Sequence, residues 1–326
     1  MGTAASTSFN APKTIVLGGN GCVGLSTLEA LLLRGNGQLN IHCGVRNVEK
    51  FKKTMIDIPT VKTHMEDVSQ MAEALRGFDR AFIIVPSSED RTELALNALE
   101  AAKLANIKFV LLLSVTIAAS DTIFGRQFMP LEEKISSLGI PYTIIRLPMF
   151  LENMFMHGQS VAKDKRICDP RKPSEEISFV TLEDVGKCAA EILINPSNHI
   201  NRTYKLVSGK FSMNDMSESL SKILHKKIGV KETSWNQFRR HYLDDAKIPK
   251  WQADGTIEWM KCDRKVWISG EDQETIKNIT GDNPVTLHQF VAQNASVFGW
   301  KRPLIVGGDK DVRDDPIMQF RSVYAS

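Results

Sequence analysis

The stretch Lys13-Thr-Ile-Val-Leu-Gly-Gly-Asn-Gly-Cys-Val-Gly24 decides the fold. Residues 15–17 are an apolar run that predicts a buried strand, and the glycines after it lead into a helix predicted over residues 25–33. The spacing Gly19-x-Gly21-x-x-Gly24 matches a dinucleotide fingerprint: one glycine makes the tight turn, one lets the backbone approach the pyrophosphate, and one packs helix on strand. The helix N-terminus attracts phosphate through its N–H groups and dipole. The residues expected to bind the cofactor here are Gly18, Gly19, Asn20, Gly21, Cys22, Val23 and Gly24.

The end of the next predicted strand, residues 39–45, bears on which dinucleotide binds. In this kind of fold an acid there contacts the 2′-hydroxyl of NAD, whereas an arginine accommodates the 2′-phosphate of NADP. The chain has no Asp or Glu between Gly37 and Asn47, and Arg46 follows the strand. We therefore expect NADP(H) to be preferred over NAD(H), the alternative being that Arg46 is an ordinary surface cation.

Strands and helices then alternate through the first half of the chain. Strands are predicted at residues 61–65, 79–86 and 108–113, and helices at 69–77, with Ser69 as the cap, and at 91–105. This alternation predicts an α/β fold, a Rossmann doubly wound parallel sheet with a smaller, mainly helical C-terminal lobe. The expected divisions are a disordered lead at 1–12, an NADP-binding core at 13–155, a substrate lobe with strands returning to the core at 156–300, and a tail at 301–326.

Composition excludes several classes of protein. The chain has 326 residues, of which 42% are hydrophobic, and a net charge of +3, too small to indicate a nucleic-acid surface. It has no apolar run near the roughly 20 residues of a membrane span and no signal-peptide pattern, so we expect a cytoplasmic protein without a membrane partner. The five cysteines are scattered without metal-ligand spacing, and no metal site is predicted.

Five motifs together resemble the NmrA-like family of atypical short-chain dehydrogenases/reductases, nearest its quinone-reductase and triphenylmethane-reductase-like branch. They are Gly18-Gly-Asn-Gly-Cys-Val-Gly24, Val45-Arg-Asn-Val-Glu-Lys50, Gly139-Ile-Pro-Tyr-Thr-Ile-Ile-Arg-Leu-Pro-Met-Phe-Leu-Glu-Asn153, Phe179-Val-Thr-Leu-Glu-Asp-Val185 and Ile279-Thr-Gly-Asp-Asn-Pro-Val-Thr-Leu-His-Gln-Phe290. The resemblance implies a Rossmann core that binds NADP(H), with a smaller lobe closing over the nicotinamide. Some members reduce quinones or dyes, and others are thought to sense NADP(H) and bind a protein partner.

The remaining cofactor positions follow from the fold and from this resemblance. Asp67 lies after the third strand, where the adenine usually binds. Near the nicotinamide, the resemblance implies positions after the fourth, fifth and sixth strands: Val85, Pro86, Ser87, Ser114, Val115, Pro148 and Phe150.

The proton donor of short-chain dehydrogenases has no match here. None of the four tyrosines is followed by Lys four residues later, and the corresponding slot falls near Phe128. Glu132, Glu133 and Lys134 are interpreted as an ordinary charged helix that begins after Pro130. The catalytic residues therefore stay unknown. Two functions remain open: a reductase of a small-molecule acceptor such as a quinone, and a non-catalytic regulator that binds a protein, with a homodimer a further possibility.

The second half gives weaker signals. Residues 165–173 are interpreted as a charged loop, and residues 177–184 as a strand leading to a helix that Asp184 caps. Trp235, Trp251 and Trp259 belong to an aromatic stretch that is interpreted mainly as core, with one or two indoles available as a platform for an acceptor.

Overall fold

A computed structural model describes residues 11–35, 37–52, 57–245, 247–262 and 270–299. Its central sheet has seven strands in the order β10-β6-β5-β4-β1-β2-β3, and the strands run parallel. The chain therefore starts in the middle of the sheet, moves to one edge and crosses back to build the other side, which is the Rossmann arrangement. The strands are β1 (Lys13–Leu17), β2 (Asn40–Val45), β3 (Thr60–Lys62), β4 (Arg80–Ile83), β5 (Phe109–Val115), β6 (Tyr142–Leu147) and β10 (Arg202–Lys205).

Helices cover this sheet and connect its strands. They are α1 (Cys22–Arg34), α2 (Val48–Lys52), α3 (Val68–Leu75), α4 (Arg91–Leu104), α5 (Ile123–Ser137) and α7 (Leu182–Ile194). All seven residues of β5 are buried, as a central parallel strand covered on both faces requires. The fold class predicted from the alternating pattern is confirmed.

Two helix starts differ from the sequence prediction. Helix α3 begins at Val68, and its cap is Asp67, whose carboxylate accepts the N–H of Gln70 at 2.9 Å; Ser69 lies inside the helix. Helix α5 does not begin after Pro130 but at Ile123, and Pro130 lies within it. The early start is supported by Thr122, whose hydroxyl accepts the Gly125 N–H at 3.0 Å.

The second half contributes two small sheets. One has the order β11-β9-β7, formed by Gly209–Phe211, Ile177–Val180 and Met149–Phe150. The other pairs β8 (Arg166–Asp169) with β12 (Gly229–Glu232) in parallel. The interpretation of residues 165–173 as a loop is therefore wrong for β8. Its short charged sequence has no pattern typical of a strand. The strand forms because it pairs with β12, which lies some sixty residues further along the chain.

The helices of the second half surround a core of their own. They are α6 (Gly158–Asp164), α8 (Met213–Leu224), α9 (Trp235–Arg240), α10 (Lys250–Lys261), α11 (Thr275–Thr280) and α12 (Leu287–Gln293). Helix α8 begins with a reciprocal capping box formed by Ser212 and Asp215. The core includes Phe155, Phe179, Met216 and Phe290, each almost wholly buried.

Backbone contacts divide the chain into two compact units. Of the described residues, those up to 113 together with 131–144 and 186–203 form the first unit, and 114–130, 145–185 and those from 204 onward form the second. Within the first unit, Gly186 of α7 packs so closely on Ser26 of α1 that a Cβ would lie 2.5 Å from the Ser26 carbonyl oxygen. The division into linear segments at residue 155 stays a prediction. The tail predicted at 301–326 and the first ten residues of the lead predicted at 1–12 lie outside the described residues.

In the described part of the chain, no helix is both long enough and apolar enough to cross a membrane.

Candidate dinucleotide site

The glycine turn after β1 is built as the fingerprint predicts. Gly18 has a φ of +76°, which L side chains rarely adopt, and its N–H donates to the carbonyl of Gly44 on β2 at 3.0 Å. Gly21 closes the turn by donating to the Gly18 carbonyl at 3.0 Å and then stands at the N-cap of α1. The chain thus passes from β1 into α1 through four residues.

Two glycines leave no room for a side chain. A Cβ on Gly24 would lie 2.5 Å from both the Gly18 oxygen and the Gly19 Cα, and a Cβ on Gly19 would overlap the Cys43 sulfur. Gly21 differs, because a Cβ there would meet only the Gly18 oxygen, at an ordinary 3.4 Å. Packing therefore excludes a side chain at Gly24 and at Gly19, but it does not exclude one at Gly21.

The N-terminus of α1 is suited to an anion. No side chain caps Gly21, and the first turn of the helix contains no acid. The positive end of the helix dipole therefore faces the turn without a neutralising carboxylate. Such an end binds phosphate groups.

Arg46 follows β2 directly and is exposed. Its guanidinium lies 3.9 Å from the carboxylate of Glu66, and both side chains are more than half exposed. An ion pair this long and this exposed is weak, worth at most about 1 kcal/mol. Arg46 is thus available to a ligand that offers a stronger anion than Glu66.

Asp67 also lies at this edge of the sheet, but both its carboxylate oxygens are engaged. One accepts the backbone N–H of Gln70 and the other the side-chain amide, each at 2.9 Å. These bonds, the backbone one above all, hold the pKa of Asp67 below its usual value. Asp67 therefore has a structural role as a helix cap, and a cofactor contact through it stays a prediction.

The fourth strand brings further predicted residues to the turn. A Cβ on Gly18 would touch Ile84, just beyond β4, at 3.5 Å. Val85 is buried, Pro86 half-buried and Ser87 exposed. The structure therefore gathers the glycine turn, Arg46, Asp67 and the residues after β4 at the carboxyl edge of one sheet.

The other predicted residues lie in the second compact unit. Ser114 and Val115 end β5 and are buried, Pro148 follows β6, and Phe150 is half-buried in β7. The N–H of Thr116 donates to the carbonyl of Leu147 at 3.0 Å, which holds the ends of the fifth and sixth strands together. Contacts between these residues and a nicotinamide stay a prediction.

The slot of the missing tyrosine is apolar in the structure. Phe128 is 3% exposed within α5. Lys134 forms an ion pair with Glu100 at 2.7 Å, as a surface charge on a helix does. Phe128 itself therefore cannot donate a proton.

Sequence reasoning missed Glu152. One of its carboxylate oxygens accepts the N–H of Leu182, the first residue of α7, at 2.9 Å, and the other is buried without a hydrogen-bond partner among the described residues. Burial raises the pKa of Glu152 to about 7, and the carboxylates of Asp184 and Glu183 add to the effect. The signal in the sequence was a single acid between the apolar residues Leu151 and Met154.

Asp184 does not cap α7 as expected. The hydroxyl of Thr181 accepts the N–H of Asp184 and does the capping. The buried carboxylate of Asp184 instead accepts the hydroxyl of Ser208 at 2.5 Å and the N–H of Val285 at 3.0 Å. It therefore joins two of the motifs on which the resemblance was based, although they lie a hundred residues apart.

A parallel sheet, a glycine turn and an uncapped helix N-terminus define a Rossmann-type protein. The profile of the NmrA-like family matches residues 11–255. The chain belongs to the NmrA-like family.

Two curated relatives align over most of this chain. Prestalk A differentiation protein A of Dictyostelium discoideum is 24% identical over 286 residues, covering 86% of this chain and 92% of the relative. An NAD(P)H azoreductase of Xenophilus azovorans is 21% identical over 289 residues, covering 87% of this chain and 99% of the relative.

Several solved structures share the fold. The triphenylmethane reductase of Citrobacter sp., complexed with NADP(H), superposes with a TM-score of 0.75 at 21% identity, covering 86% of this chain and 99% of its own. The NADPH-dependent quinone oxidoreductase of Escherichia coli, complexed with NADPH, superposes with a TM-score of 0.75 at 20% identity. The match covers 86% of this chain and 99% of the oxidoreductase. NmrA, a negative transcriptional regulator in complex with NAD, superposes with a TM-score of 0.69 at 13% identity, covering 87% of this chain and 95% of NmrA. At such identities these likenesses establish the fold.

Proposed function

We propose that this protein is an NADPH-dependent reductase of a small planar acceptor such as a quinone. The observation that carries the dinucleotide part is the uncapped N-terminus of α1 behind a turn in which Gly19 and Gly24 leave no room for a side chain. Pyrophosphate is the group that such a turn accommodates, because the backbone N–H groups and the helix dipole both favour an anion at this point. Gly21 allows the approach, since it has no side chain in the way.

The reductase part of the proposal is supported by the relatives. Those that superpose or align over nearly their whole length include a triphenylmethane reductase, a quinone oxidoreductase and an azoreductase. Hydride transfer to such acceptors depends mainly on holding the nicotinamide against the acceptor. A site with Phe128 in place of a catalytic tyrosine is compatible with this chemistry.

The proposed preference for NADP(H) rests on Arg46 and on the weakness of its ion pair with Glu66. A 2′-phosphate carries more charge than a carboxylate and can accept two parallel hydrogen bonds from a guanidinium. It therefore competes well with Glu66 for Arg46. NmrA has been crystallised with NAD and with NADP, so the fold alone does not determine the choice.

Turnover is tested by mixing the protein with NADPH and a panel of quinones and azo dyes. The proposal predicts that at least one acceptor accelerates the loss of the absorbance band of the reduced nicotinamide. NADH in place of NADPH serves as the matched control and should react more slowly. If NADPH binds and no acceptor is reduced, the reductase proposal is wrong and dinucleotide binding stands.

A non-catalytic regulator is the second candidate, and the observation in its favour is the apolar slot at Phe128. A relative of the same fold, NmrA, is a transcriptional regulator. Such a protein would bind its partner differently with NADP⁺ and NADPH. Affinity capture in the presence of each dinucleotide tests this, and identical partners with equal recovery in all conditions would contradict a sensor.

A further inference from the structure

The second unit contains a cavity of about 360 Å³ at the point where helices α6 and α8 end. Two lysines line it: Lys165 is the C-cap of α6, and Lys226 lies two residues beyond the last residue of α8. The backbone N–H of Gly229 donates to the carbonyl of Lys165 at 2.9 Å, which ties the chain after α8 to the end of α6. The cavity shares no residue with the dinucleotide site described above.

Close packing fixes residues 298–299, which also line the cavity. A Cβ on Gly299 would lie 2.8 Å from the Cβ of Ala162 in α6. A Cβ on Gly158, the first residue of α6, would lie 2.7 Å from the carbonyl oxygen of Val297. The cavity is therefore already formed in the folded chain, as sites for small molecules usually are.

The size and the floor of the cavity limit the ligand to a small molecule with an apolar part. At roughly 30 Å³ for each non-hydrogen atom, the volume of a water molecule in the liquid, the 360 Å³ holds about twelve such atoms. Contact with an apolar floor favours hydrocarbon over polar groups. The floor consists of side chains that are almost wholly buried: Val161, Leu224, Ile228 and Phe298.

The charge at the cavity limits the ligand further. Among the described residues, neither Lys165 nor Lys226 pairs with a carboxylate; Nζ of Lys165 donates to the carbonyl of Ala162 and keeps two further donors. A helix C-terminus carries about half a negative charge, so the ends of α6 and α8 together offset about one of the two lysine charges. About one positive charge is left, and a monoanion would balance it.

We propose that this cavity binds a small amphipathic monocarboxylate. Its hydrocarbon chain covers the apolar floor, and its carboxylate accepts hydrogen bonds from the ammonium groups of Lys165 and Lys226. A neutral apolar molecule would leave the lysines unmatched, and a phosphate would leave the floor uncovered. The site is additional to the proposed reductase function and does not depend on it.

Decanoate, whose size matches the cavity, is the probe for the test. Its binding is measured by calorimetry with and without NADP⁺, and hexanoate serves as the shorter analogue. We expect saturable binding of one decanoate per chain, unchanged by NADP⁺. Decanoate should bind at least about tenfold more tightly than hexanoate, because its additional methylene groups are buried against the floor.

Variants of two neighbouring lysines show whether the carboxylate lies at the cavity. Lys226→Met removes the charge and keeps the length of the side chain, so we expect decanoate to bind about fivefold to tenfold more weakly. Lys226→Arg keeps the charge and should bind decanoate nearly as the wild type does. Lys227→Met is the matched control: Lys227 is equally exposed and does not line the cavity, so the affinity should not change. Circular dichroism checks that each variant is folded.

Four results would overturn the proposal. The first is the absence of saturable decanoate binding up to about 1 mM. The second is equal weakening by Lys226→Met and Lys227→Met, which would indicate general electrostatic attraction only. The third is equal affinity for hexanoate and decanoate, since the chain would then not contact the floor. The fourth is displacement of decanoate by NADP⁺, which would place the carboxylate in the dinucleotide site.

Discussion

At the scale of single residues, substitutions of Gly21 and Gly24 should distinguish an effect on dinucleotide binding from an effect on folding. Gly24→Ala would place a methyl group 2.5 Å from the backbone of the turn, so we expect a loss of about 1–3 kcal/mol in the free energy of unfolding together with weaker dinucleotide binding. Gly21→Ala fits the folded chain and should lower stability by less than about 1 kcal/mol, the difference between Gly and Ala at an N-cap. It should nevertheless weaken NADPH binding at least about tenfold, because the methyl group stands where the pyrophosphate would approach.

Denaturant unfolding and NADPH titration of both variants check this. Undiminished binding by Gly21→Ala would show that the ligand does not approach this turn.

Arg46 is the residue expected to determine the relative affinity for NADP(H) and NAD(H). Arg46→Ala should reduce the ratio of NADH to NADPH dissociation constants by about tenfold to a hundredfold, the value of one or two charge-assisted hydrogen bonds. Lys52→Ala is the matched control: it removes one charge from a residue that pairs with Glu49 at 2.7 Å, and it should leave the ratio unchanged. If both variants change the ratio equally, general electrostatics and not Arg46 determines the preference.

Glu152 should make stability depend on pH. Its pKa is raised from 4.5 to about 7 in the folded protein, so the neutral form is favoured by folding. The stabilisation is complete below pH 4.5 and is lost as the pH rises through about 7. Glu152→Gln keeps an acceptor for the Leu182 N–H and cannot ionise, so near pH 8 it should be more stable than the wild type by on the order of 1–3 kcal/mol.

Denaturant unfolding at several pH values measures this difference. Glu176→Gln, a change at an exposed residue that is not among the groups shifting the pKa of Glu152, serves as control and should leave the pH dependence of stability unchanged. Parallel stability curves for the wild type and Glu152→Gln would contradict the raised pKa.

At the scale of elements, α10 fixes the beginning of α5. The ring of Phe124 meets Trp251 and Trp259 edge to face, with centroids 6.3 and 5.8 Å away. Gly255 lies midway between the two tryptophans along α10. Glu258 accepts the N–H of Ile123 at 2.7 Å. Trp251 and Trp259 therefore serve to dock α5, which agrees with their interpretation as mainly core.

This docking predicts the effect of a larger side chain at Gly255. A Cβ there would already lie 3.0 Å from the Phe124 ring, so Gly255→Val should displace the ring, lower stability by about 1–3 kcal/mol and shift the tryptophan emission. The double variant Phe124→Ala/Gly255→Val should be less destabilised than the sum of the single changes, because the clash is removed. Strict additivity would show that the ring and Gly255 do not interact.

Some elements could be predicted from sequence because their signals are local. The first strand, the glycine turn, α4 and the capped start of α8 depend on residues within a few positions. The start of α5 could not be predicted, since Glu258 supports it from far along the chain. Pro130 favours a helix start in the sequence, yet in the structure it is accommodated within α5.

At the scale of the whole molecule, alternation of strands and helices was enough to predict the Rossmann fold. The second half resisted prediction because its pairings are long-range: β8 pairs with β12, and Asp184 binds Val285. For the same reason the buried ion pair between Asp169 and Arg171 could not be predicted from the sequence. Asp169 and Arg171 flank a proline in a charged stretch, and only folding shows that they are buried.

The central claim is that the glycine turn and Arg46 bind NADP(H). Calorimetric titration of the wild-type protein with NADPH and with NADH, at one ionic strength, tests it most directly. We predict saturable binding of one dinucleotide per chain, with NADPH at least about tenfold tighter than NADH. Equal affinities would contradict the role of Arg46, and no binding of either dinucleotide to the folded protein would contradict the account as a whole.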